Sequence, residues 1–173
     1  MRQIEASLIT PGVGAACGED VLSRARDIVE EVKRGGVDAL RRIASGFGEI
    51  DAGEPLLIER DGLQQALDAI SPSTRGVLER TADRIRVFAE AQRRSLSDLD
   101  TAVPGGRVGH TVVPMEVAGC YAPGGRYPLP SSVLMTAIPA RVAGVATVVA
   151  ATPSRDPVMR AAAAIAGVDV LLC

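Results

Sequence analysis

Val117–Val145, VAGCYAPGGRYPLPSSVLMTAIPARVAGV, is the stretch that decides the fold. It reads as a strand from Val117 to Tyr121, a Pro123-Gly124-Gly125-Arg126 loop, a helix opened by Ser131 or Ser132 and running to Ala143, and the lead-in to another strand. Working outward, Ala146 to Ala151 is a short apolar run of strand length. Asp156 to Ala166 has helical spacing, and Val168 to Leu172 is a further apolar run. The alternation is β-α-β-α-β, and continuous apolar strands are typical of a parallel sheet covered on both faces. Right-handed crossovers would stack these units into a Rossmann-like half. Because the sequence stops at Cys173 inside an apolar run, that half is expected to be incomplete, cut short at the C-terminus.

Upstream, the pattern is mainly helical. Val21, Leu22, Ala25, Ile28, Val29 and Val32 recur at helical spacing before Gly35-Gly36, a C-terminal stop. A second, shorter helix follows from Asp38. Leu56-Leu57-Ile58 reads as a short strand, and Asp61 is placed to cap the next helix. Ser71-Pro72 then opens the longest helix, to about Arg94, with serine accepting orphan amide protons and proline at the first helical position. Pro104-Gly105-Gly106 marks a turn, and Thr111-Val112-Val113 reads as strand. The expected fold is therefore α/β: a mainly helical region at 1–100, followed by a partial Rossmann-like parallel β-α-β-α-β unit at 101–173.

Composition excludes several classes. With 47% hydrophobic and 23% charged residues the chain is globular rather than disordered, and 2% aromatics imply a core of Ala, Val, Leu and Ile. A formal net charge of −2 with interspersed signs leaves no basic stripe for nucleic acid. No run approaches the roughly 18–20 apolar residues a membrane span needs, and the N-terminus lacks the pattern of a secretory signal. The cytoplasm is the expected compartment. Cys17, Cys120 and Cys173 are widely separated and show no CxxC spacing, so reduced, mostly buried thiols are expected rather than a disulfide framework or a thiolate metal site.

The glycine loop admits two readings. Backbone amides and the helix dipole can converge there on an anion or a polar cofactor edge. Equally, PGG can make a tight turn and the serines a cap. Tyr121, at the carboxyl end of its strand, either stacks on a flat ligand group or is a half-buried strand tyrosine. Arg126 either pairs with an anion or sits in solvent. Cys120 lacks an activating base and is read as core. Pro139 is expected to bend its helix and shape the floor beside the loop. His110, the only histidine, has no clustered ligands around it and is read as a turn residue.

Taken together, GCYAPGGRYPLPSSVLMTAIPARVAGV resembles the signature region of the histidinol dehydrogenases. The likeness continues through Val148-Val149-Ala150-Ala151-Thr152-Pro153 and Ala161 to Val168. Upstream, Gly36-Val37-Asp38-Ala39-Leu40 and Arg84-Ile85-Arg86-Val87-Phe88 are similar to further family segments. The resemblance covers essentially the whole chain, against the N-terminal part of the family. It implies a zinc-dependent, NAD-linked homodimer that oxidises L-histidinol through the aldehyde to L-histidine. It also implies that Tyr121 contacts NAD, with Gly124 and Gly125 as the positions where backbone approaches the cofactor. The family's zinc ligands and its glutamate–histidine pair belong to later segments, so no catalytic residue and no metal ligand is assigned in this chain. The chain also departs from the family at Phe88-Ala89, where a histidine often follows the phenylalanine, and at Tyr127-Pro128-Leu129-Pro130.

The expectation is thus an N-terminal part of an NAD- and zinc-dependent histidinol dehydrogenase, inactive as this chain alone and binding no zinc itself. Its expected partners are NAD, a small hydroxy substrate in the full-length enzyme, and a second copy or a complementary C-terminal chain. The alternatives are a non-catalytic nucleotide-binding or interaction module, and a paralogous dehydrogenase acting on another small hydroxy compound.

Overall fold

The computed structural model describes residues 18–51, 53–124 and 127–172. Gly125 and Arg126 lie outside them, as do Cys17 and Cys173. The chain parts into two compact units, Met1–Phe47 and Gly48–Cys173.

In the first unit, helix α1 (Glu19–Gly46) is interrupted at Gly36, whose φ of 55° and ψ of −141° are non-helical. A residue without Cβ adopts that conformation at little cost. The break is where Gly35-Gly36 predicts a stop. The two segments fold back on one another: Arg42 of the second pairs with Glu31 of the first. Arg24 and Ile28 share a cavity of about 420 Å³ with Ile43 and Phe47.

The second unit holds β1 (Leu57–Glu59), α2 (Arg60–Ala69), α3 (Pro72–Arg94), β2 (Leu99–Val103), β3 (Gly106–His110), β4 (Val117–Tyr121), α4 (Pro130–Val142), β5 (Thr147–Ala151), α5 (Pro157–Ala166) and β6 (Val170–Leu172). Its main sheet has the order β1-β6-β5-β4. β4, β5 and β6 are parallel, as the alternation predicts, and β1 adds antiparallel to β6. The division expected from composition at 100/101 does not coincide with the boundary between units, because β1 joins this sheet while α2 packs on α5 and α3 on α4.

The crossovers β4-α4-β5 and β5-α5-β6 step across the sheet in one direction, and connections between parallel strands are right-handed as a rule. Both helices therefore lie on one face. The burial alternation agrees: Cys120, Val148, Ala150 and Leu171 are buried beneath the helices, whereas Val117, Gly119, Tyr121 and Thr147 face the other way and are exposed. Coverage on both faces, expected from the apolar strands, is thus not what these elements provide; a helix on the second face needs a crossover in the opposite direction. The core joins Leu134, Ile138, Met159, Val148 and Leu171 to Leu63 of α2 and Leu78 of α3.

Three local expectations are corrected. Thr111-Val112-Val113 is not a strand; the β-structure there is the β2–β3 hairpin turning at Pro104-Gly105, with Gly105 at φ 90°. His110 accordingly ends a strand rather than forming a turn. Asp61 lies in the first turn of α2, whose N-cap is Glu59. Ser71 behaves as expected, its Oγ accepting from the Thr74 amide at 3.1 Å.

Candidate functional site

The parallel strands all end on one rim, which gathers Tyr121, the Ala122–Gly124 turn, the amino end of α4, Thr152–Arg155 and the amino end of α5. Ligands of open α/β sheets bind at this carboxyl rim. Ala122 N donates to Ala151 O at 2.9 Å and Thr152 N to Leu172 O at 3.0 Å, carrying the ladder one step beyond the strands.

The two helix amino ends on the rim differ. At α5, Pro157 occupies the first turn and Asp156 accepts from the Val158 amide at 2.8 Å, a complete cap. Beside it Arg155 pairs with Asp51, and with Glu54 at 3.0 Å. The Arg155 hydrogen bond and charge hold the Asp51 carboxyl below its ordinary value. At α4 the N-cap is Leu129, which supplies no side-chain bond. Ser131 and Ser132 do not cap, because the helix starts at Pro130 and places both inside its first turn. Ser132 N reaches only Leu129 O, at 3.0 Å. Pro130 has no amide proton, so in this turn the Ser131 amide is the one left for an anion, with the positive end of the helix dipole behind it.

Tyr121 closes β4 and is 63% exposed. Of its two readings from sequence, the half-buried strand tyrosine is therefore set aside. Its neighbour Cys120 is a buried free thiol beneath the helices, in keeping with a core role.

Gly124 has a packing reason to be glycine. A Cβ there would lie 2.6 Å from Pro153 Cγ, so the missing side chain lets the β4–α4 turn close against the β5–α5 turn. Gly125, the other position expected to approach a cofactor, falls outside the described residues. Pro139 lies in the second half of α4, roughly 13 Å along the helix from the loop, and lines a groove between α3 and α4 rather than a floor beside the loop.

For a metal the residues do not fit. Among the described residues no three His, Cys, Asp or Glu side chains gather closely enough to hold an ion. Neither Tyr121 nor Gly124 lines the cavity in the first unit, the one between α2 and Arg141, or the α3–α4 groove.

The opposite, amino rim contains a polar cluster that sequence reasoning missed. Arg141, near the end of α4, donates through Nε to Gly167 O (2.7 Å) and through Nη1 to Val145 O (3.1 Å) and Ala146 O (2.7 Å). Its Nη2 pairs with the Asp169 carboxylate. Asp169 also accepts from Val148 N at 2.7 Å and from Arg60 Nε at 2.8 Å. Burial works to raise the Asp169 carboxyl, but the Val148 amide and the two guanidinium groups outweigh it and hold it below the ordinary value. An isolated Arg and an Asp separated by 28 residues give no spacing signal from which to find this cluster.

Comparison with known proteins follows the same lines. The sequence profile of histidinol dehydrogenase matches residues 15–173. A histidinol dehydrogenase of Pseudomonas putida is 41% identical over 155 residues, covering 86% of this chain and 35% of that protein. One of Methanosarcina barkeri is 39% identical over 156 residues, covering 87% and 36%. The chain thus spans about a third of the length of these relatives. A protein described as histidinol dehydrogenase homolog 1, from Mesorhizobium japonicum, is 34% identical over 178 residues and covers 100% of this chain. Among solved structures, the histidinol dehydrogenase of Elizabethkingia anophelis superposes with a TM-score of 0.77 at 23% identity, covering 90% of this chain and 37% of that one; this likeness speaks for the fold. Among the described residues no helix is long and apolar enough to cross a membrane.

Proposed function

The chain belongs to the histidinol dehydrogenase family, and from that premise we propose that its carboxyl rim forms one wall of an NAD seat in an enzyme that oxidises L-histidinol to L-histidine. The observation that carries the proposal is the pairing of an exposed aromatic, Tyr121, with the uncapped amino end of α4 on the same rim. A flat ring offers a stacking surface for a nicotinamide or adenine group. The Ser131 amide and the helix dipole at the amino end of α4 suit a negatively charged diphosphate. β4 is also the free edge of the parallel series, the place where a doubly wound sheet reverses its strand order and leaves a crevice.

NAD, when bound, supplies the hydride acceptor. This chain's contribution is binding and orientation: Tyr121 fixes the plane of one ring, the first turn of α4 holds negative charge, and the Gly124–Pro153 contact keeps the intervening turn in place. In this reading proton transfer and zinc are supplied by groups of further segments, a second copy or a complementary chain, in keeping with a chain that spans about a third of its relatives' length. A cytoplasmic setting suits the free thiol of Cys120. A paralogous activity on another small hydroxy compound is the second reading, supported by the likeness to the Mesorhizobium homolog over 100% of this chain and 34% of that protein.

Two experiments test this. Titration calorimetry should detect saturable NAD binding that Tyr121→Ala weakens about tenfold, the loss expected from one stacking contact of about 1–2 kcal/mol. Steady-state assay of the purified chain with histidinol, NAD and zinc should give no turnover. Rates typical of complete dehydrogenases would contradict the assignment of chemistry to groups elsewhere.

A further inference from the structure

The turn after β5 ties up its own acid. Thr152 is buried, and its Oγ1 accepts from the Ser154 amide at 3.2 Å, while Ser154 Oγ accepts from the Asp156 amide at 3.4 Å. Asp156, from a part-buried position, caps α5 through the Val158 amide at 2.8 Å. In a doubly wound sheet the diphosphate of a dinucleotide meets the helix after the first strand. The adenosine ribose is read beyond it, by an acid that accepts from the 2′-hydroxyl or by an arginine that takes a 2′-phosphate. With β4 and α4 as first strand and helix, the ribose falls at the end of the neighbouring strand, β5.

The acid that stands out in solvent at this point comes from a distant segment. Asp51, on the loop before β1, pairs with Arg155 through Oδ2, and Arg155 also holds Glu54 at 3.0 Å. The loop is closed locally: the Asp51 amide donates to Glu54 Oε2 at 2.8 Å, and the Glu54 amide to Asp51 O at 3.1 Å. The Asp51 side chain is nonetheless 70% exposed. A carboxylate offers two oxygens with about four lone-pair sites, so a contact to Arg155 on one oxygen leaves the other able to accept from a ligand hydroxyl. Charge decides which ribose fits. Arg155 brings a single positive charge against the carboxylates of Asp51 and Glu54, and its hydrogen bond and charge hold the Asp51 carboxyl below its ordinary value, hence ionised at neutral pH. A phosphate dianion would meet net negative charge and an arginine already engaged twice. A hydroxyl would meet an acceptor.

We propose that Asp51, drawn to the carboxyl rim by Arg155, accepts from the adenosine ribose 2′-hydroxyl and thereby selects NAD over its 2′-phosphorylated form, NADP. This assignment rests on the NAD seat argued above and names the residue that reads the ribose within it. It gives a ligand role to an ion pair that joins positions 104 residues apart. Electrostatic complementarity of this kind acts on specificity more than on raw affinity, so the ratio of the two affinities is the quantity that reports it.

Calorimetric titration of the chain with NAD and with NADP tests it. The intact chain should bind NADP about tenfold or more weakly than NAD. Asp51→Asn keeps an oxygen for the hydroxyl but removes the charge, so NADP affinity should rise about tenfold while NAD affinity changes less than about threefold. Asp51→Ala removes the acceptor as well and should weaken NAD about tenfold. Tyr121→Ala, away from the ribose, should weaken both cofactors alike and leave their ratio unchanged. Failure of either cofactor to bind the intact chain would take down the seat and this assignment together. NAD binding that Tyr121→Ala weakens but that NADP equals or exceeds would overturn the assignment alone, and this wild-type ratio needs no variant to fold. A preference for NAD that Asp51→Asn leaves untouched would likewise overturn it.

Discussion

The two rims of the parallel sheet are built on opposite principles. At the amino rim, Arg141, Asp169 and Arg60 fasten the end of α4, the starts of β5 and β6, and the start of α2 into one hydrogen-bonded cluster. At the carboxyl rim, beside β4, an aromatic ring stands in solvent and a 13-residue helix begins without a side-chain cap. The same fold thus spends its polar groups on itself at one end and leaves them unspent at the other. A region that holds the fold together is satisfied internally, and a region that meets a ligand leaves donors and apolar surface for it.

The sharpest way to break this comparison is at the amino rim. Arg141→Ala removes donors to three carbonyls and one of the two guanidinium partners of Asp169, and should cost about 3 kcal/mol in urea unfolding. NAD affinity, measured where the variant is still folded, should be unchanged. The pH dependence sharpens the point. Asp169 is held below its ordinary value, so its contribution to stability is fully present above the unfolded carboxyl value and fades as pH falls through the folded one. Asp169→Asn should therefore flatten the acid side of the stability–pH curve below about pH 4, as followed by denaturant titrations in that range.

At the carboxyl rim the effects on stability should be smaller and those on binding larger. Gly124→Ala forces a Cβ towards Pro153 and should cost about 2 kcal/mol by overpacking, read as a lower urea midpoint. Leu129→Asp gives α4 the cap it lacks. It should stabilise the chain by about 0.5–1 kcal/mol while weakening NAD, because the new carboxylate occupies the amides and repels the diphosphate. Calorimetry and urea titration on one sample would show both signs.

Much of this architecture is legible in the sequence, for reasons that stop at local chemistry. Ser71-Pro72 specifies a helix start by cap and ring geometry, Gly35-Gly36 specifies the break in α1, and the apolar runs at Val117, Thr147 and Val168 specify strands. Ser131-Ser132 misleads because a cap motif is local, whereas Pro130 moves the helix start one position upstream. The β2–β3 hairpin is missed because Asp100, Arg107 and three glycines dilute its alternation; its signal is the Pro104-Gly105 turn. Helix coverage on a single face depends on the direction of successive crossovers, which no residue encodes alone. The prominence of Tyr121 is legible, since strand end plus glycine loop defines a rim. The Arg141–Asp169 cluster is not, since it forms only when α4 and β6 are brought together.

The most direct test is a ¹H–¹⁵N NMR titration of the chain with NAD. The account predicts shifts concentrated at Tyr121, Gly124 and the Ser131–Val133 amides, with Val148 and Asp169 at the other rim unmoved. Saturation with no change at Tyr121 and the first turn of α4, or a response centred on the amino rim, would contradict it.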